Sequence, residues 1–250
     1  MPHPSLAGLR VLLTRPQGDG GDDWAAAFAT AGAEPISYPT IAIAPPESWQ
    51  PLDDAVSRLD GYDWIVFTSQ TTVAFVLGRL PGQRFAATMR ARIAVVGQST
   101  ARAVEVGGGK VALLPSDSRQ EGLALGLASV AAGTRILLPM AASGRALLAE
   151  SLGSQGCMVD VVTAYQIVPR AELPPPPAFD VATFASPSAL RAYLDHAGAA
   201  SLAGKTVGVI GPTTAKEAAA NGIAPVVAQT PDVDSLIFAV AQSRTTQGDP

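Results

Sequence analysis

The chain alternates short apolar runs with longer amphipathic stretches from one end to the other. Val11–Thr14, Trp64–Thr68, Ile93–Val96, Ile136–Pro139, Val181–Phe184 and Val207–Ile210 are brief and almost wholly apolar, the pattern of strands covered on both faces. Between them lie segments with helical spacing. Val73, Val76, Leu77 and Leu80 share one face behind Ser69, a suitable N-cap. Asp22 and Asp23 fall in the first turn of a helix that stops near Gly32, where a left-handed residue can end it. Asp232 can cap a last helix carrying Leu236, Ile237 and Val240. Strands alternating with helices predict parallel sheets and an α/β class.

Two segments break this rhythm. Pro35–Pro46 and Val161–Arg170 are extended, β-branched and flanked by proline, and the second runs on into four consecutive prolines at Pro174–Pro177. The run of four prolines is stiff and can be neither helix nor central strand. The two segments are expected to be crossings between two lobes. Residues 1–38 and 170–250 would form one discontinuous lobe, residues 44–164 the other, and 39–43 with 165–169 a ribbon joining them.

The hydrophobic pattern also echoes itself. "GLRVLLTRP" from Gly8 returns as "GTRILLPMA" from Gly133, and "YDWIVFTSQTTVAF" from Tyr62 as "FDVATFASPSALRAY" from Phe179. "ARIAVVGQSTARAVEVGG" from Ala91 returns as "KTVGVIGPTTAKEAAANG" from Lys205. Three echoes in one order suggest an internal repeat. The expected architecture is therefore two flavodoxin-like or Rossmann-like parallel-sheet lobes joined by a two-stranded extended linker.

Composition narrows the function. Apolar residues make up 48% of 250 and charged residues 15%, well below the usual quarter or so. This is a chain with core to bury, not a disordered one. The net charge of −4 argues against a nucleic-acid partner. Cys157 is the single cysteine, so an internal disulfide is impossible and a reducing cytoplasm fits. The start "MPHPSLAGLRVLLTRP" lacks the apolar core of a signal peptide, and no apolar run is long enough for a membrane span. His3 and His196 are the two histidines, and no cluster has metal-ligand spacing. A cytoplasmic monomer without metal, cofactor, membrane or nucleic-acid partner is expected.

The chemical motifs are mostly exclusions. There is no Walker-type phosphate loop. "RPQGDGGDDW" offers Gly18, Gly20 and Gly21, but Asp23 stands where a dinucleotide fingerprint needs a small residue. "FASPSA" and "FTSQTT" lack the glycines of a nucleophile elbow. What remains is a set of strand–turn–helix starts rich in neutral donors: Gly97, Ser99 and Thr100; Gly211, Thr213 and Thr214; Ser69; and Ser186. Any one hydroxyl reads equally well as a helix cap. As a set at strand carboxyl ends, they would line a crevice between two lobes and receive an anion on helix N-termini. Arg15, Arg145, Lys205 and Lys216 are candidate cations near strand or helix ends, and Tyr165 in a crossing is the best-placed proton handler.

"YDWIVFTSQTTV", "VVGQSTARAV", "VVTAYQIVP", "FDVATFASPSAL" and "VIGPTTAKEAAANG" together resemble the uroporphyrinogen-III synthase family, over nearly the whole chain. The resemblance implies two α/β lobes on a two-stranded ribbon. It also implies a cofactor-free closure of hydroxymethylbilane, a linear tetrapyrrole polycarboxylate, to uroporphyrinogen III, with ring D inverted through a spiro intermediate and water lost. It makes Tyr165 the proton donor to the leaving hydroxyl. Thr213, Thr214, Thr100, Ser69 and Ser186 become substrate-binding hydroxyls, with Gly97 and Gly211 in the turns and Lys205 leading the strand before "IGPTT". Where many members carry an Arg-Gly-like turn after Ile136, this chain has "PMAASGR", so that cationic role either passes to Arg145 or is absent. The alternative is a non-catalytic two-lobed binding or sensor protein for polycarboxylates or small anions; a nucleotide-dependent oxidoreductase is a weaker third.

Overall fold

A computed structural model describes residues 5–16, 21–86, 89–117, 119–130 and 132–245. The chain begins with strand β1 (Arg10–Leu13), helix α1 (Gly21–Thr30) and strands β2 (Glu34–Ser37) and β3 (Ile41–Ala44). Next come α2 (Gln50–Ser57), β4 (Trp64–Phe67), α3 (Gln70–Leu77), β5 (Arg92–Val95), α4 (Gln98–Val106), β6 (Val111–Leu113) and α5 (Gln120–Gly126). β7 (Arg135–Ala141), α6 (Leu147–Ser154) and the long β8 (Met158–Pro169) follow. The chain finishes with β9 (Val181–Phe184), α7 (Pro187–Ala197), β10 (Thr206–Val209), α8 (Pro212–Ala220), β11 (Val226–Val227) and α9 (Val233–Thr245). The six apolar runs are strands. β6 and β11 were not anticipated, because "VAL" and "VV" are too short to show a period. His3, Gly18 and Gly20 lie outside the described residues.

The chain divides into two compact units, residues 1–42 with 168–250 and residues 43–167. Both crossings fall inside strands, β3 and β8. Unit 1 holds a five-stranded sheet in the order β2-β1-β9-β10-β11, with parallel pairing throughout. Numbered within the unit this order is 2-1-3-4-5, the flavodoxin-like arrangement. Unit 2 holds six strands in the order β3-β8-β7-β4-β5-β6. The echoed strands run β10-β9-β1 in one sheet and β5-β4-β7 in the other. A shared strand order is common to many doubly wound sheets and does not by itself establish duplication.

Side-chain alternation builds the cores. In β4, Ile65 and Phe67 face one way, packing with Leu52, Val73, Val76 and Val104 of α2, α3 and α4. Trp64 and Val66 face the other way, against Leu123 and Leu127 at α5 and Leu148 and Leu152 of α6. Both faces of β4 are buried, which is why the run is apolar without a break. In unit 1, Val11, Leu13 and Val181 meet Phe28 of α1 and Leu236, Ile237 and Val240 of α9. α9 comes close because Gly208 carries no side chain: a Cβ there would lie 2.9 Å from Val240 Cγ2 and 3.1 Å from Leu236 Cδ1. Gly32, at φ +88°, ends the approach from α1 as the sequence suggested. The backbone amide of Ser235 donates to Asp232 Oδ1 at 2.8 Å, giving α9 its cap.

Candidate functional site

In unit 1 the parallel strands deliver their carboxyl ends to one edge. β1 leads to Thr14 and Arg15, β9 to Ser186, and β10 to Gly211. Strand order reverses between β1 and β9, and such a reversal marks the ligand-binding position of open parallel sheets. Two buried threonines stitch this point together. Thr14 Oγ1 donates to the Thr183 carbonyl at 2.8 Å, and Thr183 Oγ1 donates to the Leu12 carbonyl at 3.1 Å. Arg15 leaves the edge with its guanidinium 5.4 Å from the Trp24 ring centre.

The helix starts at this edge differ in kind. Ser186 caps α7: its Oγ accepts from the Ala189 amide at 3.2 Å and lies 3.0 Å from Ser188 Oγ. α8 has no such side chain. Gly211 is extended and Pro212 has no N–H, so the first intrahelical bond runs from the Ala215 amide to the Gly211 carbonyl at 3.0 Å. The amides of Thr213 and Thr214 precede that bond and have no partner within the helix. The Thr213 side chain is exposed and that of Thr214 buried.

Lys205 is not brought to this group. It sits before β10, at the amino end of the strand, with its ammonium 5.7 Å from the Phe179 ring centre. The whole of β10 separates it from Gly211. Lys216 is exposed on α8, one turn past the helix start.

Unit 2 repeats the contrast. Ser69 caps α3, accepting from the Thr72 amide at 3.1 Å and lying 2.8 Å from Thr72 Oγ1. Gly97 opens α4 without a side-chain cap, and the first helical bond is Ala101 N to Gly97 O at 3.0 Å. Thr100 is buried just inside that start and Ser99 is exposed. After β7, Arg145 lies 3.3 Å from Glu121, both side chains largely exposed. A screened pair of this kind contributes about 0–1 kcal/mol and is readily exchanged for another anion. Here too the strand order reverses, between β7 and β4, so Arg145 and Ser69 flank the reversal.

Tyr165 reaches this unit through an irregularity. β8 pairs residue for residue with β7 as far as Thr163 opposite Met140, and then Tyr165 stands opposite Ala141. Ala164 is the extra residue. Strict alternation would send Tyr165 to the face opposite Val162 and Ala164, yet all three pack in the same core. The Ala142 amide fixes the slip by donating to the Tyr165 carbonyl at 2.9 Å. Tyr165 is 8% exposed, and its ring stacks on Phe75 at 5.5 Å between centres and 25° between planes. Phe75 stacks on Trp49 at 6.0 Å and 26°. The Arg79 guanidinium covers Trp49 at 4.7 Å, held by Asp53 through bonds of 2.6 and 2.7 Å. Those bonds hold the Asp53 carboxyl below its ordinary pKa. This column was not legible in the sequence, because Trp49, Phe75 and Tyr165 come from three separate elements and share no period. His196 ends α7, with Nε2 3.1 Å from the Pro174 carbonyl, and Cys157 is buried against α6. Among the described residues no group of three or more His, Cys, Asp and Glu side chains is placed to hold a metal ion, and no helix is long and apolar enough to cross a membrane.

The arrangement defines a two-unit α/β protein whose strand carboxyl edges offer open helix starts, neutral hydroxyls and a few cations. A family model described as "Uroporphyrinogen-III synthase HemD" matches residues 22–237, and the chain belongs to that family. It is 35% identical over 176 residues to the uroporphyrinogen-III synthase of Synechococcus elongatus, covering 70% of this chain and 66% of that protein, just under two thirds. It is 30% identical over 207 residues to the chloroplastic uroporphyrinogen-III synthase of Oryza sativa subsp. japonica, covering 78% of this chain and 68% of that one. A solved structure of uroporphyrinogen-III synthetase from Helicobacter pylori overlays with a TM-score of 0.61 at 17% identity, covering 96% and 99% of the two chains. This last likeness is one of fold.

Proposed function

We propose that this chain is a uroporphyrinogen-III synthase that closes hydroxymethylbilane to uroporphyrinogen III, inverting ring D through a spiro intermediate with loss of water. The observation that carries the proposal is family membership over residues 22–237. The chemistry of the strand edges agrees with it. The substrate carries acetate and propionate groups on every pyrrole, and the helix starts that follow β5 and β10, at Gly97 and at Gly211, have no side-chain cap and leave first-turn amides without a helical partner. Thr100, Thr213, Thr214, Ser69 and Ser186 add hydroxyl donors, and Arg15 and Arg145 add charge. With a net charge of −4 overall, this local positive potential is what draws a polyanion to the edge. Lys205, at the other end of β10, is left out of the binding set.

In this proposal Tyr165 donates the proton that lets the hydroxymethyl oxygen depart as water, leaving a cationic azafulvene. The donors at the strand edges hold the chain of pyrroles folded until ring D attacks. Holding reacting groups in place supplies about 7–11 kcal/mol in well-oriented intramolecular steps, so little further acid–base equipment is needed. The protein works as a monomer in the cytoplasm. Incubation of the purified chain with enzymatically generated hydroxymethylbilane tests the proposal. The type III isomer must exceed the type I isomer that forms spontaneously, and type I alone would refute it. Tyr165→Phe must slow turnover more than it weakens binding of the product.

A further inference from the structure

We infer that Phe75, backed by Trp49 and Arg79, is a positioning residue that sets the ring plane of Tyr165, an inference resting on the assignment of Tyr165 as proton donor. Tyr165 is not where strand alternation would put it. The register slip at Ala164 turns its ring into the core layer of α3, and a side chain redirected by a slip needs something to stop it swinging back. Phe75 supplies the stop: a flat ring 5.5 Å away and nearly parallel, at 25°. A phenol turns about two side-chain torsions, and a parallel ring against its face blocks the tilt that would move the hydroxyl.

Phe75 is itself only half-buried and is held from behind. Trp49, just before α2, stacks on its far side at 6.0 Å. The outer face of Trp49 carries the Arg79 guanidinium at 4.7 Å, and Asp53 of α2 clamps that guanidinium by two hydrogen bonds. The column thus ties α2, α3 and β8 together and ends on the one side chain of the set that handles a proton. Stacked rings prefer such offset parallel contacts, and Trp offers a cation the best of the aromatic faces.

Phe75→Leu keeps an apolar side chain of comparable bulk but removes the flat face. A misplacement of about 1 Å costs up to ~100-fold in rate, so kcat should fall roughly 10- to 100-fold while KM changes less than about threefold. Phe75→Trp restores a face and should recover most of the loss. Losses should shrink outward along the column, from Phe75→Leu to Trp49→Leu to Arg79→Gln. In a Tyr165→Phe background, Phe75→Leu should cost nothing more, since its only route to the reaction is gone. An undiminished effect there overturns the inference. A second measurement needs no turnover: ring-labelled tyrosine NMR on the chain, whose four tyrosines let Tyr165→Phe identify its signal by subtraction. The Tyr165 ring signal should shift and average in Phe75→Leu, and an unchanged signal also overturns the inference. If the wild-type chain yields type I isomer alone, the functional proposal fails, and the ring signal still decides whether Phe75 positions Tyr165.

Discussion

The helix starts at Ser69 and Gly97 differ by one hydroxymethyl group, and that difference can be measured. Ser69 Oγ accepts from the Thr72 amide at 3.1 Å and is extended at φ −158°. Gly97 is extended at φ −165°, with no cap. Both conformations are open to any residue, so substitution at Ser69 brings no backbone strain. Ser69→Ala removes the acceptor and should cost about 1 kcal/mol, whereas Ser69→Gly, which lets water reach the amides, should cost only a few tenths. In a chain of this size about 1 kcal/mol lowers Tm by roughly 2–4 °C. Urea denaturation of the two variants beside the wild type checks the order. Ser186→Ala, in the other unit, should add to Ser69→Ala within about 0.5 kcal/mol, because the two share no partner. Activity then separates cap from ligand. If Ser69 also binds a carboxylate, Ser69→Gly should lose kcat/KM while keeping its stability. The reasoning is refuted if Ser69→Gly unfolds as readily as Ser69→Ala.

Three further outcomes follow from packing and charge. Burial, together with a hydrogen bond to Asp160, pushes the Tyr62 phenol up to about 12. Its folded value exceeds the unfolded one, so the stability it lends is complete below about pH 10 and drains as pH climbs towards 12. Tyr62→Phe should flatten the alkaline fall of the urea midpoint; parallel curves would count against it. The Asp180 carboxyl is held below its ordinary value by the Arg10 side chain and then by the Arg10 amide. Its contribution is present above the usual carboxylate range and lost as pH falls through the folded value, so Asp180→Asn should be destabilising at pH 7 and nearly silent in strong acid. Gly208→Ala pushes a Cβ against Val240 and Leu236 and should cost about 1–3 kcal/mol. Adding Val240→Ala should return part of that loss in the same denaturation assay.

Legibility tracked how local each signal was. The strands at Val11, Trp64, Ile93, Ile136, Val181 and Val207 could be read because a doubly covered strand needs an unbroken apolar run. The caps at Ser69 and Asp232 could be read because a cap is a short-range event. β6 and β11 were too short to announce themselves, although each pairs with the strand just before it in the chain. The placement of Lys205 turned on which end of β10 it occupies. A residue one step before a strand sits at the edge opposite the one that follows it, a matter of direction that composition near a motif does not carry. The slip at Ala164 was invisible because "TAYQ" has no glycine or proline to mark it.

The distinction between capped and uncapped starts also changes what the hydroxyl set means. In the sequence, Ser69, Ser186, Thr100 and Thr214 read as equivalent donors at four equivalent turns. In the structure, two of them already spend an oxygen lone pair on their own helix, at 3.1 and 3.2 Å. The glycine starts spend nothing. An anion arriving at α3 or α7 must share the cap, while one arriving at α4 or α8 meets amides that lack any helical partner. Carboxylate binding should therefore be stronger at Gly97 and at Gly211 than at the serine starts of the same sheets, with the serines orienting rather than holding. A side chain added at Gly211 tests this directly: no atom lies within 4 Å of the Cβ position and the backbone there is extended. Gly211→Asp should fold normally and cap α8, but place a carboxylate where the substrate's own must go, raising KM steeply with little change in stability. A Gly211→Asp enzyme with unaltered KM would move the binding site away from this turn.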